Sequence, residues 1–152
     1  MAETTMSRDG TTIAYERRGR GEPLILAGLD DSELADLLSP FFTVISIGRV
    51  GSVAELSAVI EVAGGEADVV GHASSALIAV QAVVEGLPIA RLALIDPLVE
   101  TDDFARIAIP TIVIATPDCD PHVLDAAALI SKVRVHVLDE VPLADVLEEF
   151  FG

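Results

Sequence analysis

What this chain of 152 residues lacks narrows its chemistry before anything else does. It has no tryptophan and a single cysteine, Cys119, so an internal disulfide is excluded and nothing points to an oxidising compartment. Basic residues are scarce: 25 acidic residues face 9 basic ones, and the formal charge is -16. Such a field repels nucleic-acid phosphates and anionic lipid headgroups, so neither nucleic acid nor a membrane is an expected partner. No apolar run reaches the roughly 20 residues that a membrane span needs. The greasiest stretch, Ser74 to Pro97, is interrupted by Gln81, Glu85, Gly86, Pro88 and Arg91. The opening MAETTMSRDG has no basic start or apolar core of a secretory signal, and a cytoplasmic location is the expectation.

What is present describes a folded chain. With 51% apolar and 22% charged residues and a mean hydropathy of +0.56, the composition is globular rather than disordered. The length suits one domain over residues 1–152.

Along the chain, short β-branched runs alternate with longer helical patterns, the grammar of an α/β fold. ETTMSR and TTIAYERRG flank Asp9-Gly10 and read as an antiparallel hairpin, because Asp-Gly accepts a positive φ. The arginines at 17, 18 and 20 read as a solvated edge that discourages strand pairing. PLILAGL is a buried strand, followed by a helix with Ser32 as N-cap, Leu34, Leu37 and Leu38 on one face, and Pro40 as its stop. FFTVISIG is the next strand, and Ser52-Val53-Ala54-Glu55 is a capping box opening a helix with Leu56, Val59 and Ile60 inward and Gly64-Gly65 at its end. ADVVGHASSALIAVQAVVEGLP reads as strand, sharp turn and a central, almost wholly apolar helix ended by Gly86. Strands ARLALIDP, IPTIVIATP and VRVHVLD follow, with a helix from Asp120-Pro121 before the last strand and an amphipathic helix PLADVLEEFF after it. The pattern predicts one mostly parallel sheet of about eight strands, opened by the hairpin and wound right-handedly between two helix layers. Ligands in such sheets bind beyond the carboxyl ends of the strands.

At one of those ends the sequence VVGHASSAL resembles the nucleophile elbow of the α/β hydrolases, and the resemblance covers nearly the whole chain. DGTTIAYERRGRGEPLILAG is similar to that fold's opening hairpin and third strand, FFTVISIGRVGSV to its fourth strand and loop, and IPTIVIATPDCD and VLEEFF to its end. The family elbow is Gly-x-Ser-x-Gly, a strained strand-to-helix turn that lifts a serine hydroxyl above the sheet. Here it reads Gly71-His72-Ala73-Ser74-Ser75, with a methyl group where the nucleophile belongs. The family's general base is a histidine after the last strand, whereas this loop is Asp139-Glu140-Val141-Pro142. His136 lies within that strand, on the face opposite Val133, Val135 and Val137. The oxyanion strand ends in Ala27-Gly28 instead of His-Gly, and Gly48 replaces the aspartate common after the fourth strand. The resemblance implies an acid at Asp118 or Asp120, or at the alternative place Asp96; Asp120 before Pro121 reads first as a helix N-cap. The lid that the family commonly inserts after its sixth strand is missing, since Leu98 to Asp103 is a short loop.

Three sharper readings are weaker than bland ones. A displaced triad of Ser74, His72 and Asp118 would need unusual geometry, because adjacent elbow positions point in different directions and His72 precedes the turn. The set Asp118, Cys119, Asp120 and His122 matches no zinc spacing, so neither a metal nor a cofactor is expected. Cys119 lies between two aspartates that disfavour its thiolate. The expectation is a lidless hydrolase-like protein without a serine-hydrolase triad. It would bind a small acyl or carboxylate ligand lined by Gly28, Leu29, Ala73, Ser74, Asp96 and Asp118, or a protein partner at the uncovered strand ends. The Ser74 and Leu29 amides would form an oxyanion-hole-like pocket. The uncovered ends lead to the expectation of a homodimer. The alternative is an active esterase-like hydrolase or lyase using atypical residues.

Overall fold

A computed structural model describes residues 2–29, 32–48, 50–97, 102–117, 121, 125, 128–138 and 142–152. The expected hairpin is there: β1 (Ala2–Met6) pairs antiparallel with β2 (Thr12–Gly19). Between them the Ser7 amide donates to the Thr11 carbonyl and Gly10 takes a φ of 86°. The Asp9 carboxylate accepts from the Ser7 hydroxyl and from the Thr11 amide, which holds its pKa below the usual value.

β3 (Glu22–Ala27), β4 (Phe42–Ile47), β5 (Ala67–His72), β6 (Ile89–Ile95), β7 (Thr111–Ala115) and β8 (Val133–Val137) complete one eight-stranded sheet. Its order is β1-β2-β4-β3-β5-β6-β7-β8, and every pair from β4 to β8 is parallel. β2 is thus an interior strand, so the reading of its arginines as an edge device is corrected. Arg18 instead pairs with Glu16 at 2.9 Å and with Asp36 of the neighbouring helix at 2.6 Å.

Parallel strands covered on both faces must be apolar throughout, and β3, β5 and β7 are nearly continuous buried runs. One face is covered by α2 (Val53–Val62) and α3 (Ser74–Val84), whose Leu56, Val59, Ala79 and Val80 pack on Ile25, Ile45, Val69 and Leu94. The other is covered by α1 (Ser32–Leu38) and α4 (Leu143–Phe151), with Leu34, Leu38, Leu147 and Phe151 over Leu26, Val70, Ala93 and Ile112. The β6–β7 connection holds a single 3-10 turn, Asp102–Arg106, and Phe104 and Ile107 from it are buried under α3, so no lid rises from its described residues.

Local details depart from expectation in instructive ways. α1 begins at Ser32 itself, and its buried stripe is Leu34, Ala35 and Leu38, leaving Leu37 54% exposed. Ala35 is fully buried in the core between this seven-residue helix and the sheet. At α2 the Glu55 amide donates to Ser52 Oγ at 3.3 Å as expected of a capping box, but the Glu55 carboxylate accepts from the Gly51 amide at 2.9 Å rather than from Ser52. Gly64, Gly65 and Gly86 all have positive φ where their helices end. The helix expected from Asp120 falls mostly outside the described residues, its Pro121 and Asp125 being helical.

Candidate functional site at the strand ends

β5 ends at His72, and the chain turns sharply into α3 through Ala73, at φ 55° and ψ -120°. A non-glycine residue is forced into that region only where its surroundings over-determine it. Three features do so here. The Ala73 amide donates to the Ile95 carbonyl of β6 at 3.0 Å, fixing the turn laterally. Gly71 lets α3 come close, since a Cβ there would sit 2.8 Å from the Ala76 Cα. Gly28, at φ +79°, does the same from β3: a Cβ on it would lie 2.8 Å from Ser75 Oγ and 3.0 Å from the His72 carbonyl oxygen. The geometry of a nucleophile elbow is therefore complete, with a methyl group at its apex.

Around that apex the site offers donors. Ser74 is the exposed first residue of α3, and Leu29 is half-buried just past Gly28. Among the described residues neither amide has an acceptor, whereas the Gly28 amide is taken by the Gly48 carbonyl at 3.1 Å. Two free N–H groups beside a helix N-terminus suit a carbonyl or carboxylate oxygen.

Asp96, which ends β6 at φ 43°, is not an idle carboxylate. Its Oδ1 accepts from the Thr116 amide at 2.8 Å and its Oδ2 from Thr116 Oγ1 at 2.9 Å, clasping β6 to β7. Asp118 and Asp120, with Cys119, lie outside the described residues, as do Asp139, Glu140 and Val141. His72 and His136 occupy one cross-strand row, His72–Ile95–Ile114–His136. Three strand spacings, roughly 14 Å, separate them, so they cannot act together. The Nε2 of His136 is buried and has no hydrogen-bond partner among the described residues. No group of three or more metal-ligating side chains occurs among the described residues.

The sequence reading missed the clasp from Asp96, the bond from the Val50 amide to Ser75 Oγ at 3.1 Å, and a charged pair at the opposite end of the sheet. There Arg91 of β6 donates to Asp68 of β5 at 2.9 Å and to the Phe150 carbonyl at 3.4 Å, and lies over the Phe151 ring. Burial pushes the Asp68 carboxyl above the usual range although Arg91 opposes the shift. A signal existed: Asp68 and Arg91 are the only charges inside two adjacent apolar runs. The exposed apolar side chains at Leu129, Val135 and Val137 run along the β8 edge rather than over the elbow.

A doubly wound sheet with a nucleophile-type elbow defines the class of this molecule, and solved structures specify it further. An α/β hydrolase from Sphaerobacter thermophilus superposes with a TM-score of 0.86 at 24% identity, covering 99% of this chain and 100% of that one. A serine-to-alanine variant of a meta-cleavage product hydrolase from Pseudomonas fluorescens, complexed with acetates, gives 0.82 at 14% identity over 98% and 97%. A putative aryl esterase from Burkholderia cenocepacia gives 0.74 at 12% over 98% and 93%. No family model and no curated protein sequence matches the chain. The protein has the α/β-hydrolase fold.

Proposed function

We propose that this protein is a catalytically silent member of the α/β hydrolases that binds a small acyl or carboxylate ligand at its elbow. The observation that carries the reading is Ala73, which keeps the elbow's φ of 55° while presenting a methyl group in place of a nucleophile. Two further facts support it. The amides of Leu29 and Ser74 have no acceptor among the described residues, and the acetate complex of a serine-to-alanine hydrolase on the same fold is a precedent for carboxylate binding without a serine. The sequence also supplies no histidine after β8: His72 ends β5, His136 lies within β8 and His122 lies outside the described residues.

The test has two arms. p-Nitrophenyl acetate is offered to the protein and to its Ala73→Ser and Ser74→Ala variants, and acetate is titrated against the 15N-labelled protein. The expected outcome is no turnover above buffer in any of the three, with the Leu29 and Ser74 amide resonances moving as acetate is added. Turnover by the unaltered protein that Ser74→Ala abolishes would overturn the reading and make Ser74 a nucleophile.

A further inference from the structure

Where the elbow pattern of the resembled family has its second glycine, this chain has Ser75, and the residue is almost fully buried, at 1% exposure. Its hydroxyl oxygen accepts the amide of Val50, itself buried, at 3.1 Å. Val50 belongs to the loop between β4 and α2, and the same loop binds β3 through the bond from the Gly28 amide to the Gly48 carbonyl. The Ser75 side chain also fills the volume that Gly28 leaves open, its Oγ lying where a Cβ on Gly28 would be 2.8 Å away. One hydroxyl thus joins three segments that meet at the apex: the start of α3, the β4–α2 loop and the end of β3.

We infer that Ser75 is a positioning residue for the ligand site. By holding the β4–α2 loop against the elbow and Gly28 against the start of α3, it fixes the Leu29 amide relative to the Ser74 amide. This rests on the reading of those amides as the ligand-binding pair. The physical logic is that two donors converge on one oxygen only when their separate segments cannot drift. Gly28 supplies no side chain to do this, and a glycine at position 75 would leave the Val50 amide buried without an acceptor.

The experiment compares the unaltered protein with Ser75→Ala and Ser75→Gly. Hydrogen exchange at the Val50 amide reads the brace, acetate titration followed at the Leu29 and Ser74 amides reads the site, and thermal unfolding reads global stability. In Ser75→Ala, Val50 exchange is expected to accelerate by about tenfold, the factor carried by one buried hydrogen bond. Acetate affinity is expected to fall by about fivefold or more at temperatures where the variant remains fully folded. Ser75→Gly should lower affinity further, because Gly28 loses its packing partner as well. Faster Val50 exchange with unchanged acetate affinity would overturn the inference and leave Ser75 a purely structural residue. Absence of acetate binding by the unaltered protein would overturn the binding reading itself, and the inference with it, whatever Val50 exchange shows.

Discussion

The two ends of β5 solve opposite problems. At its lower end, next to Asp68, a buried carboxylate is matched by a neighbouring cation, and the same guanidinium reaches across to the carbonyl and ring of the last helix. At its upper end no charge among the described residues is buried; the cost lies in the backbone of Ala73, whose side chain is a methyl group. The lower end is held by pairwise contacts that can be removed one at a time. The upper end is held largely by close packing, with Gly28 and Gly71 admitting contacts that a Cβ would block and the Ala73 amide tied to the Ile95 carbonyl. Strain carried by a residue whose side chain is only a methyl group is part of the packing.

The sharpest way to break this contrast is to remove Arg91. Arg91→Ala leaves Asp68, 6% exposed, as an uncompensated buried charge, and chemical denaturation at pH 7 should show a loss of about 3 kcal/mol. On the shape-held side, Gly71→Ala drives a Cβ to 2.8 Å from the Ala76 backbone, and about 2 kcal/mol should be lost in the same assay. Ala73→Gly should act in the opposite direction. Glycine adopts φ 55° without steric penalty, so relief of the strain should exceed the added chain entropy and stabilise by about 1 kcal/mol. A loss in Ala73→Gly would mean that the turn is not strained.

The smallest effect concerns Asp68 itself. Its pKa is raised in the folded state, so the folded protein holds that proton more tightly than the unfolded chain. The ionised form is therefore a burden at neutral pH that is relieved as pH falls toward the ordinary carboxylate range. Asp68→Asn should change stability at pH 7 by less than about 1 kcal/mol, because Arg91 is partly exposed and stays solvated. Relative to the unaltered protein, the variant should be at its best at neutral pH and lose ground below pH 5. An unfolding series from pH 7 to pH 4 checks the sign.

Much of this architecture was legible in the residues. Runs such as PLILA and TIVIA can only be strands buried on both faces, and Gly64-Gly65 and Gly86 mark helix ends by a conformation that few other residues accept. The elbow was legible through its resemblance to the α/β-hydrolase pattern, with Gly71 and Ala73 standing between a strand and an apolar helix. The clasp of Asp96 on Thr116 was not, because it depends on how β6 and β7 are aligned, which no local pattern encodes. The Leu37 error has a similar origin, since helical periodicity gives the width of a buried stripe but not the direction in which the neighbouring layer presses on it.

The engagement of Asp96 bears on any attempt to install a triad at this elbow. A serine placed at position 73 would meet no histidine after β8, and the carboxylate at the end of β6 already holds Thr116 through both oxygens. A histidine introduced after β8 could recruit that carboxylate only by loosening the β6–β7 junction, so a triad built on Asp96 would compete with the contact that joins the two strands.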